Sequence, residues 1–87
     1  MWTLKISDQA SRFYAGLHGK DQLRVAAVFD SLRADPRGGK PLRGELKGYW
    51  SYRVGVYRII YKIENDEIVV YVLRIQHRKE VYERFRR

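Results

Sequence analysis

The sequence predicts a single α+β domain in which an antiparallel sheet packs on a helical hairpin, in the order β-α-α-β-β-β. Two observations carry this prediction: apolar residues recur at helical spacing in the first third, and strand-forming residues alternate in the second half. A chain of 87 residues with a hydrophobic fraction of 45% suits one folded domain and is too short for two. Residues 1–87 contain no repeat, linker or low-complexity segment, so we expect one domain.

A strand and two helices are predicted before the sheet proper. Trp2–Ile6 alternates weakly and suits a short strand, and Ser7-Asp8 offers N-cap side chains to a first helix. Apolar residues continue at helical spacing through residues 10–17. Over residues 20–33, an i, i+3, i+4, i+7 stripe predicts a second amphipathic helix. Asp35-Pro36 ends it, because the residue before proline avoids the helical region.

Three strands follow, at about Tyr49–Val54, Val56–Ile63 and Glu67–Ile75. Two-residue turns at Val54-Gly55 and Asn65-Asp66 are expected to join them. The tail, from residue 79 onward, allows a short C-terminal helix.

The register of these turns sorts the side chains into two faces, because neighbouring residues of a strand point to opposite sides. The face expected to meet the helices is apolar, with the hydroxyls of Tyr57 and Tyr61 at its rim: Tyr57, Ile59, Tyr61, Ile63, Ile68, Val70 and Val72. The other face mixes basic and apolar residues: Ser51, Arg53, Arg58, Ile60, Lys62, Val69, Tyr71, Leu73 and Ile75. We expect this second face to bind a ligand.

Positive charge is concentrated in the same half of the chain. Residues 1–35 carry a net charge of +1 and residues 36–87 a net charge of +7. This asymmetry favours nucleic acid or an acidic protein as the partner, although a basic surface that only improves solubility is the plain alternative. The loop at 37–48 has no phosphate-binding glycine fingerprint, so its cations are expected to position phosphates rather than read sequence.

The composition also argues against several classes of site. There is no cysteine, and the two histidines are far apart, so we expect neither a disulfide nor a metal or other cofactor. The N-terminus lacks an apolar run long enough for a signal peptide or a membrane span. A soluble cytoplasmic protein is the expectation.

The segments RVGVYRIIY (Arg53–Tyr61) and HRKEVY (His77–Tyr82), together with the element order, resemble RelE-type toxins of the RelE/ParE toxin–antitoxin superfamily. The resemblance covers nearly the whole chain. It implies a ribosome-dependent endoribonuclease that cleaves mRNA by attack of the 2′-OH without a metal. It also implies a cognate antitoxin, acidic or DNA-binding, in a toxin–antitoxin hetero-oligomer, and no membrane partner.

The resemblance also assigns roles to residues. Arg58 corresponds to an arginine at the scissile phosphate, Arg78 to one that stabilises the transition state, and Tyr82 to a tyrosine that stacks on a base or assists proton transfer. We expect further RNA contacts from Lys40, Arg43, Lys47, Arg53, Arg74 and Lys79. His77 is a candidate acid or base, because histidine titrates near neutral pH, although a structural role is the alternative.

The proton acceptors known in the family are missing at their usual places. Some members carry lysines on the strand before the RVGxYR turn, where this chain has Ser51 facing Arg58. YoeB-type toxins carry a glutamate in the preceding loop, where this chain has Lys40-Pro41-Leu42. The general base is therefore unassigned.

Two other functions stay open on the sequence alone. ParE-type toxins share this topology but act on DNA gyrase and need no ribonuclease residues. A non-catalytic module that only binds an antitoxin would also fit. For Arg58 itself, the plain alternative to a catalytic role is a surface ion pair with Glu67 or Glu80.

Overall fold

A computed structural model describes residues 1–77 and confirms the α+β fold. Its strands and helices are β1 (Thr3–Ile6), α1 (Asp8–Ala15), α2 (Gly19–Ala34), β2 (Lys40–Pro41), β3 (Trp50–Val54), β4 (Tyr57–Glu64) and β5 (Val69–His77). The sheet has the order β1-β5-β4-β3-β2. All neighbouring strands are antiparallel except β1, which pairs parallel to β5, so the sheet is mixed rather than purely antiparallel. The predicted loop contains one strand that the sequence pattern did not indicate, β2.

The first helix begins, and the second helix ends, where the sequence pattern places those boundaries. Ser7 is the N-cap of α1, and its hydroxyl accepts a hydrogen bond from the Ala10 amide at 3.1 Å. Asp35 is the C-cap of α2, its amide donates to the Ser31 carbonyl, and the following Pro36 is buried. In the described part of the chain, no helix is long and apolar enough to cross a membrane. The predicted C-terminal helix lies outside the described residues.

One hydrophobic core joins both helices to one face of the sheet. It is formed by buried side chains of α1, α2, β3, β4 and β5, which are Ala10, Val25, Val28, Phe29, Leu32, Val54, Ile59, Tyr61, Val70, Val72 and Ile75. On β4 the core residues are odd-numbered, so the even-numbered side chains, including Arg58, lie on the face away from the helices.

Both predicted turns are displaced, but the displacement leaves the two faces of β3 and β4 unchanged. Val54 pairs with Tyr57, so the β3–β4 turn is Gly55-Val56 rather than Val54-Gly55. Glu64 pairs with Val69, so the β4–β5 turn has four residues rather than two. Each register differs from the predicted one by two residues, which preserves the side to which a residue points.

A β-bulge in β5 does change faces and corrects one prediction. Tyr61 pairs with Val72 and Ile60 with Arg74, so Leu73 is the extra residue. Beyond it, Ile75 lies in the core and is fully buried, so its predicted place on the basic face is wrong, while Arg74 and Gln76 take that face.

Side chains of α1 and its cap satisfy the backbone around this bulge. The Ser7 hydroxyl donates to the Leu73 carbonyl at 2.6 Å. The Gln9 amide donates to the Ile75 carbonyl at 3.0 Å and accepts from the Ile75 amide at 3.1 Å. The bulge thus leaves these polar groups hydrogen-bonded where β1 no longer runs beside β5.

Ile68, in the β4–β5 turn, has a backbone conformation that disfavours its own side chain. Its φ is 56°, while its side chain is 53% exposed. A β-branched residue in the left-handed region is strained, and asparagine tolerates that region far better. We therefore expect Ile68→Asn to raise the free energy of unfolding by about 1 kcal/mol, which corresponds to roughly 5 °C in Tm.

Thermal denaturation checks this expectation against a matched variant. Val56 is also β-branched, exposed and in a turn, but it is not among the residues with positive φ. Val56→Asn should bring no such gain. Equal gains in the free energy of unfolding would contradict this explanation. They would show that replacing any exposed apolar side chain by asparagine has the same effect, whatever its backbone conformation.

Candidate functional site: a cationic depression around Arg58

Two arginines lie directly opposite each other on the sheet face away from the helices. Arg53 of β3 pairs with Arg58 of β4 across the antiparallel ladder. Like charges at such a position destabilise a sheet. A bound anion would offset this repulsion, so the pair marks a candidate anion site.

A serine holds the guanidinium of Arg58. Ser51 is only 3% exposed, and its hydroxyl accepts a hydrogen bond from Arg58 Nη1 at 3.1 Å. Arg58 itself is half-buried. A fixed arginine presents its N–H groups to a phosphate with less loss of rotamer freedom than an exposed one.

The short strand β2 brings a lysine to the same place. Lys40 pairs with Ser51, and Pro41 pairs with Trp50. Ser51 points to the Arg58 face, so its ladder partner Lys40 lies on that face as well.

Two open depressions meet at Lys40 and Arg58. The first has a volume of about 480 Å³ and is lined by Gly38, Gly39, Lys40, Ser51, Tyr52, Arg53 and Arg58. The second has a volume of about 380 Å³ and is lined by Lys40, Pro41, Leu42, Arg43 and Arg58. Among the described residues, the linings contribute four cationic side chains and no carboxylate. Such a surface attracts a phosphate backbone or an acidic peptide.

A buried tyrosine on the opposite face of β4 holds the segment that carries Lys40. Tyr61 is fully buried, and its hydroxyl donates to the Pro36 carbonyl at 2.7 Å, so the predicted position of this hydroxyl at the rim is wrong. Burial raises the pKa of Tyr61 to about 12. A Cβ on Gly39 would lie 2.3 Å from the Tyr61 hydroxyl and 2.8 Å from the Ser51 carbonyl. The backbone next to Lys40 therefore fits only without a side chain at position 39.

The Arg58 face continues onto β5 because of the bulge. Arg74 lies across from Ile60. With the Gln76 amide assigned so that its oxygen faces the guanidinium, that oxygen accepts from Arg74 Nη2 and Nε at 3.0 and 3.1 Å. Towards the other end of β4, Lys62 lies over the Tyr49 ring at 5.5 Å from its centroid. Arg74 therefore shares a surface with Arg58, and its role as an RNA contact stays a prediction.

The structure does not bring every predicted residue to this face. His77 pairs with Tyr57 and contacts its ring edge-on, with centroids 6.3 Å apart, so it lies on the face opposite Arg58. Lys47 is exposed and lines neither depression. Arg37, from the same loop, donates to Asn65 at 2.6 Å and lies over the Trp2 ring. Arg78, Lys79 and Tyr82 lie outside the described residues.

Sequence reasoning missed the two residues that anchor the loop. Gly39 and Tyr61 are 22 positions apart and touch only through the fold. A glycine pair before a lysine carried a weak signal, since glycine often marks close backbone approach. Nothing in the sequence indicated that Gly39 packs against Tyr61.

With the geometry established, comparison with known proteins defines the class. A protein-family model described as "ParE toxin of type II toxin-antitoxin system, parDE" matches residues 4–82. The chain belongs to this family of type II toxins, which confirms the resemblance to the RelE/ParE superfamily.

Individual relatives lie close in sequence and structure. The chain is similar to the toxin RelG of Mycobacterium tuberculosis, with 39% identity over 95% of this chain and 98% of the relative. The solved RelBE2 toxin–antitoxin complex of Mycobacterium tuberculosis contains a chain that superposes with a TM-score of 0.77 at 37% identity, covering 88% of this chain and 91% of that one. A chain of the Escherichia coli RelBE complex shares the fold at 18% identity, also with a TM-score of 0.77, covering 88% of this chain and 96% of that one.

Gly39→Ala tests the packing of the loop on Tyr61. The added Cβ would overlap the Tyr61 hydroxyl and the Ser51 carbonyl, so the β2 segment must move. We expect a loss of about 1–3 kcal/mol in the free energy of unfolding, as for other overpacked sites. Gly38→Ala is the matched control, because its Cβ would lie 3.7 Å from the Tyr52 ring, an ordinary contact. Urea denaturation of both variants makes the measurement, and equal losses would contradict the proposed packing.

The raised pKa of Tyr61 predicts a pH dependence of stability. The folded protein keeps this phenol protonated up to a pKa of about 12, whereas the unfolded chain releases the proton near the ordinary value of 10. The unfolded state binds fewer protons between these two pH values. The stabilisation that comes from the protonated Tyr61 phenol is therefore present below pH 10 and is lost as pH rises towards 12. The full loss is about 2–3 kcal/mol.

Denaturation series with urea from pH 8 to pH 11.5 compare the native chain with Tyr61→Phe. At pH 8 the variant should be less stable by about 1 kcal/mol, because the hydrogen bond to Pro36 is gone. Its stability should then fall less steeply above pH 10 than that of the native chain. Parallel curves would show that Tyr61 is not the titrating group.

Proposed function

We propose that this type II toxin is a ribosome-dependent endoribonuclease that cleaves mRNA without a metal ion. The observation that carries the proposal is the cationic depression, in which Arg58, held by Ser51, lies beside Arg53 and Lys40. The similarity to proteins named RelG, RelE and YoeB supports the same activity. The cytoplasm, where ribosomes and mRNA are found, is its proposed location.

The chemistry requires stabilisation of a dianionic phosphorane. The 2′-oxygen attacks the adjacent phosphorus, and negative charge builds on the non-bridging oxygens. Arg58 binds these oxygens in our proposal, because a guanidinium stays charged and donates two parallel hydrogen bonds. A fixed donor at developing charge contributes about 2–4 kcal/mol. Arg78 and Tyr82 retain the roles that the family resemblance gives them.

The surrounding cations position the RNA. Arg53, Lys40 and Arg43 line the depressions and would contact phosphates on either side of the scissile one. Arg74 extends this surface across β5. Lys47 and Lys79 are proposed as peripheral RNA contacts.

The same face is the proposed docking site of the antitoxin. The structural neighbours include RelB–RelE complexes, and an acidic antitoxin segment would neutralise the opposed Arg53 and Arg58. Binding there would block the RNA and inactivate the toxin in the hetero-oligomer.

Gyrase inhibition is the second candidate, because the matching family model is described as a ParE toxin. The cluster around Arg58 favours RNA cleavage, since inhibition of gyrase by binding needs no catalytic arginine.

Expression with mapping of mRNA 5′ ends separates these functions. The native chain should produce cuts in phase with codons. Arg58→Ala should lower cleavage by roughly 30–1,000-fold, the equivalent of 2–4 kcal/mol, and Arg78→Ala should also abolish the cuts. Arg12→Ala, which replaces an exposed arginine on α1, is the control and should leave them unchanged.

The other outcomes each contradict the proposal. Growth arrest with intact mRNA and a DNA-damage response would assign the gyrase target. No toxicity at all would assign a module that only binds its antitoxin.

A further inference from the structure

Cleavage of RNA requires a proton for the departing 5′-oxygen. The arginines around the scissile phosphate do not readily supply one, because a guanidinium holds its protons at every accessible pH. A positioned general acid accelerates such a step by about 10²–10⁴-fold. Another side chain of the site is therefore needed to release this proton.

Lys40 is the one amine among the described residues that line the two depressions. Both depressions include it together with Arg58. The other lining side chains with transferable protons are Ser51 and Tyr52: Ser51 is buried and bonded to Arg58, and Tyr52 packs against the core. An ammonium group has three N–H donors and can give up a proton.

The backbone of Lys40 is held more firmly than its exposed loop position indicates. On one side, Lys40 is in register with Ser51, the residue that fixes Arg58. On the other side, Gly39 packs against the buried Tyr61 hydroxyl, which is bonded to the Pro36 carbonyl. Lys40 and Arg58 are thus positioned through the same serine. A phosphate bound to Arg58 would lie in a depression that Lys40 also lines.

We infer that Lys40 is the general acid of the cleavage reaction, an inference that rests on the proposed ribonuclease function. The 2′-OH loses its proton to a water molecule, and the 2′-oxygen forms a bond to phosphorus. As the bond from phosphorus to the 5′-oxygen breaks, Lys40 Nζ donates a proton to that oxygen. The products are a 2′,3′-cyclic phosphate and a 5′-hydroxyl, and solvent reprotonates the amine.

Replacing the 5′-oxygen by sulfur provides the test. A thiolate leaves without a proton donor, because an ordinary thiol has a pKa of about 8.5. Programmed ribosomes would carry either normal mRNA or mRNA with one bridging 5′-phosphorothiolate at the cleavage position. Single-turnover cleavage is then measured at saturating toxin for the native chain, Lys40→Ala, Lys40→Arg and the control Lys20→Ala.

The inference predicts a loss that depends on the leaving group. Lys40→Ala and Lys40→Arg should each cleave normal mRNA about 100-fold more slowly and the sulfur substrate at the native rate. The arginine variant separates proton donation from charge. Lys20→Ala removes an exposed lysine of α2 that lines neither depression, and it should match the native chain on both substrates.

Three outcomes would overturn the assignment. Equal losses on both substrates would make Lys40 a phosphate-binding residue, and restoration by Lys40→Arg would make its charge the essential property. No loss on normal mRNA would remove Lys40 from the reaction. Failure of the native chain to cleave either substrate would overturn the proposed function itself, and this would be visible before any variant is compared.

Discussion

The alternation of side chains along β4 is the constraint on which the core and the site both depend. This strand lies in the middle of the sheet between β3 and β5. Its odd-numbered residues Ile59 and Tyr61 are buried against the helices, while Arg58 and Lys62 lie on the other side. Hydrophobic burial of one set therefore fixes the orientation of the other, since a slip of one residue would turn the arginine into the core.

Cationic side chains from three strands lie close together around Arg58. Arg53 and Arg58 face each other, and Lys40 is added from β2. The core and the buried Tyr61 hold the backbone segments that carry these cations. Under the proposed function, phosphate and an acidic antitoxin segment would be attracted to the same cations, so one electrostatic arrangement would serve both activity and its inhibition.

Local patterns predicted much of this structure, and the parts they missed depend on contacts between distant residues. The helices, the three long strands and the placement of Arg53, Ser51 and Arg58 on one face follow from periodicity and turn residues. The errors in turn position did not change the faces of β3 and β4, because each shifted the register by two residues. The pairing of Lys40 with Ser51 and the packing of Gly39 on Tyr61 involve residues far apart in sequence, and no local preference encodes them.

The β5 bulge shows that one inserted residue can change the surface that a member of this family presents. Leu73 changes no charge and lines no part of the Arg58 depressions, yet it decides whether Arg74 or Ile75 shares a surface with Arg58. Two homologues with identical residues on either side of this point would present different surfaces if only one of them had the extra residue. The gain or loss of one residue in β5 therefore changes which side chains are available for recognition. A substitution at Leu73 itself leaves those side chains on the same face.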